Sequence, residues 1–351
     1  MTDKGSVSPV EQPVRVKERK NKTCMRHCKK FWWAYLCLFI VIVVLAVCLI
    51  LLVAIPKIAQ KKLDSSELQV DGISVTSTRS ETYLMGINST IRSSGGVSAK
   101  IAPFRAEMYL EDLEPHTPFV LLDFPETTSA ELQTVNVTDK RIDIPNMEAF
   151  TTFNTMLLGL ESVRVTIKGD TTVRVSGVAR NYGVTFKKTI TLTGLNHFAG
   201  LEVTHAEVST EPDENDNNFH GFVTIPNPSV LTIEIGNATF DTFLNGSNVG
   251  TTYMDNLVLS PGNNNASLRA SISQGPVLLA LMEEPYCQDG IIDFELSGNG
   301  VTNQGDELSY FADALSADNL TVPINIGESV ARDLGVTLGC SSSGNSSRLL
   351  I

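Results

Sequence analysis

The segment Ser162-Val-Arg-Val-Thr-Ile-Lys168 places Val163, Val165 and Ile167 on one side of an extended chain and Arg164, Thr166 and Lys168 on the other. A period of two marks a strand with one buried and one wet face. The same pattern recurs downstream: Val184 to Thr193 alternates through Phe186, Ile190 and Leu192. Val223 and Ile225, then Leu231, Ile233 and Ile235, then Leu268, Ala270 and Ile272 repeat it, as do Ile292, Phe294 and Leu296 set against Asp293 and Glu295. β-Branched residues are frequent and Gly and Asn interrupt the runs, so antiparallel pairing is the natural expectation.

Two segments depart from that period. Asn146 to Leu160 carries Met147, Phe150, Phe153 and Leu157 at helical spacing behind Pro145-Asn146, and Pro276 to Glu284 follows Gly275. Each precedes a strand, and their starts lie roughly 130 residues apart, as an internal duplication requires. The acidic stretch Glu211 to Asn218 lies where two such units would join.

Upstream of the strands, Phe31 to Ile55 contains no charge, no Gly and no Pro, and is long enough to cross a bilayer as a helix. Arg15, Lys17, Arg19, Lys20, Lys22, Arg26, Lys29 and Lys30 precede it, whereas Lys57, Lys61 and Lys62 follow. The positive-inside rule then keeps the N-terminus cytosolic, and the apolar run is too long for a cleaved signal peptide. Trp32, Trp33 and Tyr35 stand at the cytosolic end, where amphipathic rings favour the headgroup level.

The expected fold is therefore mostly β, with one N-terminal transmembrane helix followed by two immunoglobulin-like antiparallel β-sandwich units, each with a short helix. The expected divisions are a disordered basic tail (1–30), a signal-anchor helix (31–55), a stalk (56–66), a first lumenal sandwich (67–210) and a second sandwich with a C-terminal tail (211–351).

Charge separates the two sides. Residues 1–30 hold nine basic and three acidic side chains, leaving 18 basic and 36 acidic beyond them. A basic tail gains roughly 1 kcal/mol per well-placed Lys or Arg against an anionic leaflet, although the same charges also set topology by themselves. The acidic remainder argues against nucleic acid as a partner. Glycosylation acceptors agree with the orientation: Asn88, Asn136, Asn237, Asn245, Asn265, Asn319 and Asn345 begin sequons beyond the span, and only Asn21 does so before it. Of six cysteines, Cys24 and Cys28 are juxtamembrane, Cys37 and Cys48 lie in the span, and Cys287 and Cys340 reach the lumen. That last pair is expected to form a disulfide worth roughly 4 kcal/mol in the chain-entropy model.

No catalytic, cofactor or metal constellation stands out. There is no Gly-x-Ser-x-Gly elbow, and His116, His197, His205 and His220 lack motif partners. Asp213, Asn215 and Asn217 imitate the start of a calcium loop, but Asn218 and Thr224 occupy positions that need Gly and Glu. Glu111-Asp112-Leu113-Glu114-Pro115 reads as a solvated turn rather than a glycosidase pair. Val277, Leu278, Leu279, Leu281 and Met282 read as buried core, with the wall of a lipid groove as the alternative.

Gly221-Phe-Val-Thr-Ile-Pro-Asn-Pro-Ser229, Leu231-Thr-Ile-Glu-Ile-Gly236, Phe240 and Asn245-Gly-Ser-Asn-Val-Gly250 resemble the late-embryogenesis-abundant type 2, or water-stress-hypersensitivity, domain over about Phe219 to Gly327. The whole chain resembles a fungal family of type II vacuolar membrane proteins with tandem domains of this kind. In the first unit the corresponding stretch is Asn88-Ser-Thr-Ile91 with Phe104 and Tyr109, without the Asn-Pro. The resemblance implies a vacuolar more than a plasma membrane location, lipid in a groove between sheet and helix, or a lumenal protein partner, and a link to autophagy. The rival expectation is a membrane-anchored structural or signalling receptor without lipid; an enzyme ranks third.

Overall fold

The computed structural model describes residues 21–92, 99–129, 132–337 and 339–340. Its contacts divide into two units, Met1–Ile58 and Ala59–Ile351. In the first, α1 (Asn21–Leu49) runs into a π-helical turn, Ile50–Ala54, and then into α2 (Ile55–Asp64). Side chains from Trp32 to Val53 are largely exposed, with mean hydropathy 3.7 in the most apolar window, so this helix fits a single membrane crossing.

Two expectations change here. Residues 21–30, read as disordered, are helical, because a nucleated helix extends residue by residue at little cost. The stalk also stays helical to Asp64: Pro56 falls in the first turn of α2, where a missing N–H is tolerated.

Among its described residues the second unit holds seventeen strands, five further α-helices and a 3-10 turn at Asn196–Phe198. Before the acidic stretch come β1 (Glu67–Thr76), β2 (Thr82–Arg92), β3 (Ala99–Ile101), β4 (Phe104–Leu110), β5 (Val120–Phe124), β6 (Thr127–Ser129) and β7 (Leu132–Asp143). Then α3 (Met147–Gly159) leads to β8 (Ser162–Val175), β9 (Asn181–Thr193) and β10 (Glu202–Val208). After it follow β11 (Phe219–Asn227), β12 (Leu231–Leu244), β13 (Ser247–Leu259) and β14 (Gly262–Ile272). The chain ends through α4 (Gln274–Ala280), α5 (Tyr286–Asp289), β15 (Ile291–Asn303), β16 (Asp306–Glu307), α6 (Ser309–Ser316), β17 (Leu320–Asn325) and α7 (Ile326–Leu334).

The described strands form one sheet of eleven and one of six; β1 and β2 of the larger pack against β4, β8 and β9 of the smaller, whereas β11 to β14 pack against β15 and β17 of their own sheet. Val163, Val165 and Ile167 are at most 3% exposed, as the alternation predicts, but Thr166, expected on the wet face, is buried because its hydroxyl bonds the Glu111 carboxylate and the Thr189 hydroxyl. In α3, Asn146 caps the helix by accepting from Ala149 N at 2.8 Å, which fixes the expected start. Phe150 and Phe153 stack on Tyr83 and Phe119 with ring centroids 5.3 and 4.2 Å apart. Phe150 also meets the edge of Tyr310 in α6, a helix that the sequence reading did not separate from its surroundings.

Hydrogen bonding continues across the expected boundary at Glu211 to Asn218. In the large sheet the order is β10-β11-β14-β13-β12-β1-β2-β7, so strands from both sides of the boundary share one hydrogen-bonded surface. They join twice: β10 pairs antiparallel with β11, and Ile73 to Val75 of β1 lie parallel to Leu231 to Ile233 of β12. Asn227-Pro228-Ser229 positions the parallel join: buried Asn227 donates to the Leu231 carbonyl at 2.8 Å and accepts from Ser229 N at 2.9 Å, and the next residue, Val230, offers its carbonyl to Ile73 N at 3.0 Å. A polar clasp adds to this. Glu234 accepts from Ser77 N and from Asn303 Nδ2, each at 2.8 Å, and Thr78 Oγ1 donates to the Glu234 carbonyl at 2.9 Å.

Asn245-Gly246 closes the β12–β13 hairpin with φ of 51° and 76°, the two positive values that a type I′ turn requires.

Candidate functional site

The side chains that the alternating pattern turns inward from β11 to β14 do not fill the space beneath them completely. A cavity of about 70 Å3 remains between that sheet and the elements that follow it. Phe219, Val223, Met254, Leu268 and Ala270 form one wall, Phe294, Leu296, Val322 and Ile324 another. Val277 and Leu278 of α4 and Ile326, Val330 and Leu334 of α7 close it. The α4 alternatives thus divide by residue: Leu281 is core at 2% exposure, Val277 and Leu278 line the cavity, and Leu279 faces outward at 60%.

One polar feature interrupts the apolar lining. Thr242 on β12 and Thr252 on β13, both buried, face each other with hydroxyl oxygens 2.8 Å apart. Each hydroxyl brings one hydrogen, and one hydrogen suffices for their mutual bond. The second has no acceptor among the described residues. The amides of Asn218 and Gln274, at the rim, are already engaged with the carbonyls of Ile272 and Ser209. The pair therefore leaves one hydrogen to donate and lone pairs to accept, and the lining suits a mostly apolar occupant with a single polar atom.

A smaller cavity of about 40 Å3 lies among Val70, Ile87, Met108, Phe124, Val135 and Phe186 and shows no comparable polar pair. An open groove of about 460 Å3 runs between β1 and β9, lined by Glu67, Arg92, Thr189, Thr191 and Thr193. Leu68, Val70, Ile190, Leu192 and Val230 share that lining, so the groove is mixed in character.

The remaining sequence-derived candidates fall as follows. Asn88, Asn136, Asn237, Asn245, Asn265 and Asn319 are all exposed, and Asn88 lies directly opposite Asn136 across the β2–β7 pair. Asn345 lies outside the described residues. Cys287 and Cys340 are bonded, with Cα atoms 4.8 Å apart. Cys37 and Cys48 are free and exposed on the apolar helix, and Cys24 and Cys28 lie on α1.

The acidic candidates are turns. Glu111 accepts from Thr166 Oγ1, which holds its carboxyl below the ordinary range, and Asp112 pairs with Arg164 at 3.1 Å. Asp213 accepts from the backbone N–H groups of Asn217 and Asn215, which likewise lower its pKa, and meets His220 at 3.3 Å. Among the described residues no group of three or more His, Cys, Asp or Glu side chains is placed to hold a metal.

A family model described as a protein of unknown function (DUF3712) matches residues 117–242, about a third of the chain. The match runs through the expected boundary near Glu211 and ends at Thr242. No curated protein matches the chain. Among solved structures, a bacterial adhesin from Mobiluncus mulieris containing intramolecular disulfide, isopeptide and ester bond cross-links aligns at 8% identity. It covers 67% of this chain and 80% of its own, with a TM-score of 0.19, a likeness too slight to bear on function.

Proposed function

We propose that the chain is a non-enzymatic type II single-pass protein of the endomembrane system, its N-terminus cytosolic, whose β-rich body holds a small amphiphile in the cavity between β11–β14, α4 and α7. The observation that carries this reading is the hydroxyl pair Thr242–Thr252 set in an otherwise apolar cavity. The basic residues before the span and the exposed sequons beyond it support the orientation. The family resemblance supports a vacuolar membrane and a role in autophagy, with the basic tail resting on anionic lipid and the sequons bearing glycans.

At about 70 Å3 the cavity is well below the roughly 300–1,000 Å3 of typical ligand sites, so an acyl chain enters only if a wall moves. That volume favours the second reading, a membrane-anchored receptor that binds a lumenal protein partner and no lipid. Mass spectrometry of small molecules extracted from purified residues 59–351 separates the two: a reproducible stoichiometric amphiphile supports the first, and a ligand-free protein supports the second.

A further inference from the structure

The wall formed by α7 is attached differently from the others. Nine residues are too few for a helix to persist in water alone, so its position depends on its anchors. Along one side Ile326, Val330 and Leu334, four residues apart, face the cavity. Along another, Ser329 and Arg332 donate to the carbonyl of Ala206, and Asp333 accepts from Val208 N at 2.9 Å. The two ends are tied to one short stretch, α5 and the Gly290 that caps it. At the start, Gly327 N donates to the Gly290 carbonyl at 2.9 Å, and a Cβ on Gly327 would stand 2.7 Å from the Gly290 Cα. Beyond the other end, Cys340 is bonded to Cys287 of α5, and Cys340 is exposed.

We infer that α7 is the lid of the cavity and that the Cys287–Cys340 disulfide is its latch. This rests on the cavity being the binding site. A dithiol opens the latch: one thiolate attacks the exposed Cys340 sulfur, forming a mixed disulfide and releasing the Cys287 thiolate, which takes a proton. The second thiol of the dithiol then displaces Cys340, so the dithiol leaves as a disulfide and both cysteines become thiols. With the latch open, the C-terminal turns of α7 are held only by the bonds of Ser329, Arg332 and Asp333 to β10 and by the apolar face, and they swing away about Gly327 as those bonds break. The swing widens the cavity to admit a chain that about 70 Å3 does not hold.

The test is hydrogen–deuterium exchange on the full chain in phosphatidylcholine nanodiscs, oxidised and after dithiothreitol with thiol capping, with Cys340→Ser as a second route to the open latch. The expected result is at least ten-fold faster exchange in peptides spanning 326–334 and 202–208, with peptides from 231–259 unchanged. Unchanged exchange at 326–334, or equal acceleration at 231–259, would overturn the latch. The cavity reading fails separately: a lid that loosens on reduction in a protein that never yields an amphiphile leaves the hinge standing and removes its ligand.

Discussion

Ser329 Oγ donates to the carbonyl of Ala206 at 3.1 Å, so a helix side chain fills the place that a neighbouring strand would take at the edge of β10. Arg332 joins it on the same oxygen and Asp333 takes the N–H of Val208. An exposed edge strand otherwise invites pairing with another chain.

Ser329→Ala removes one donor from that carbonyl and is expected to cost about 1 kcal/mol, whereas Ser329→Ala with Arg332→Ala orphans the Ala206 carbonyl and is expected to cost about 1–3 kcal/mol. Urea unfolding of residues 59–351 measures both. Equal midpoints for the double variant and the parent would show that α7 does not cover the edge.

Thr242 and Thr252 are mutually dependent. Either single change to Val strands one buried hydroxyl and is expected to cost about 1–2 kcal/mol, while the double change replaces both by shapes of the same size and is expected to be nearly neutral. A double-mutant cycle on urea midpoints checks the sign; additive losses would mean that the hydroxyls do not bond in solution. If an amphiphile occupies the cavity, the double variant retains it less well.

Alkaline unfolding should be linked to two tyrosines. Burial pushes the Tyr83 phenol far above its ordinary value, with Tyr310 adding to it, and burial raises Tyr310 as well. A pKa raised on folding gives stability that is complete below the unfolded value, about 10, and is lost as pH climbs from there toward the folded value. Tyr83→Phe should therefore flatten the loss of stability above about pH 10. Tyrosinate absorbance that rises for all seven tyrosines before unfolding would contradict this.

Orientation is testable without reference to the cavity. Glycan mapping of the full chain is expected to find sugar at acceptors beyond the apolar helix and none at Asn21. Sugar at Asn21 would invert the topology.

Strand texture was legible because apolar side chains alternate, as at Val163, Val165 and Ile167, although buried Thr166 on the opposite face was not foreseen, and α3 was legible because Asn146 caps a run of aromatic residues at helical spacing. The single large sheet was not. Its parallel join depends on Ile73 to Val75 lying against Leu231 to Ile233, a pairing more than 150 residues apart that no local pattern encodes. The Asn227-Pro228-Ser229 motif was visible, and its role as the support of that join was not, because the role lies in partners distant in sequence. The cavity was half legible: Val277 and Leu278 carried a signal, whereas α7 did not, since its apolar residues acquire meaning only opposite β10 and α4.

The most direct measurement of the central claim is the identity of what co-purifies with residues 59–351, compared with an Ala270→Leu variant that fills the cavity beneath β14. A stoichiometric amphiphile bearing an acceptor oxygen, found with the parent and lost from the variant, is the predicted result. A parent that carries no small molecule, or an amphiphile held equally by the variant, would contradict it.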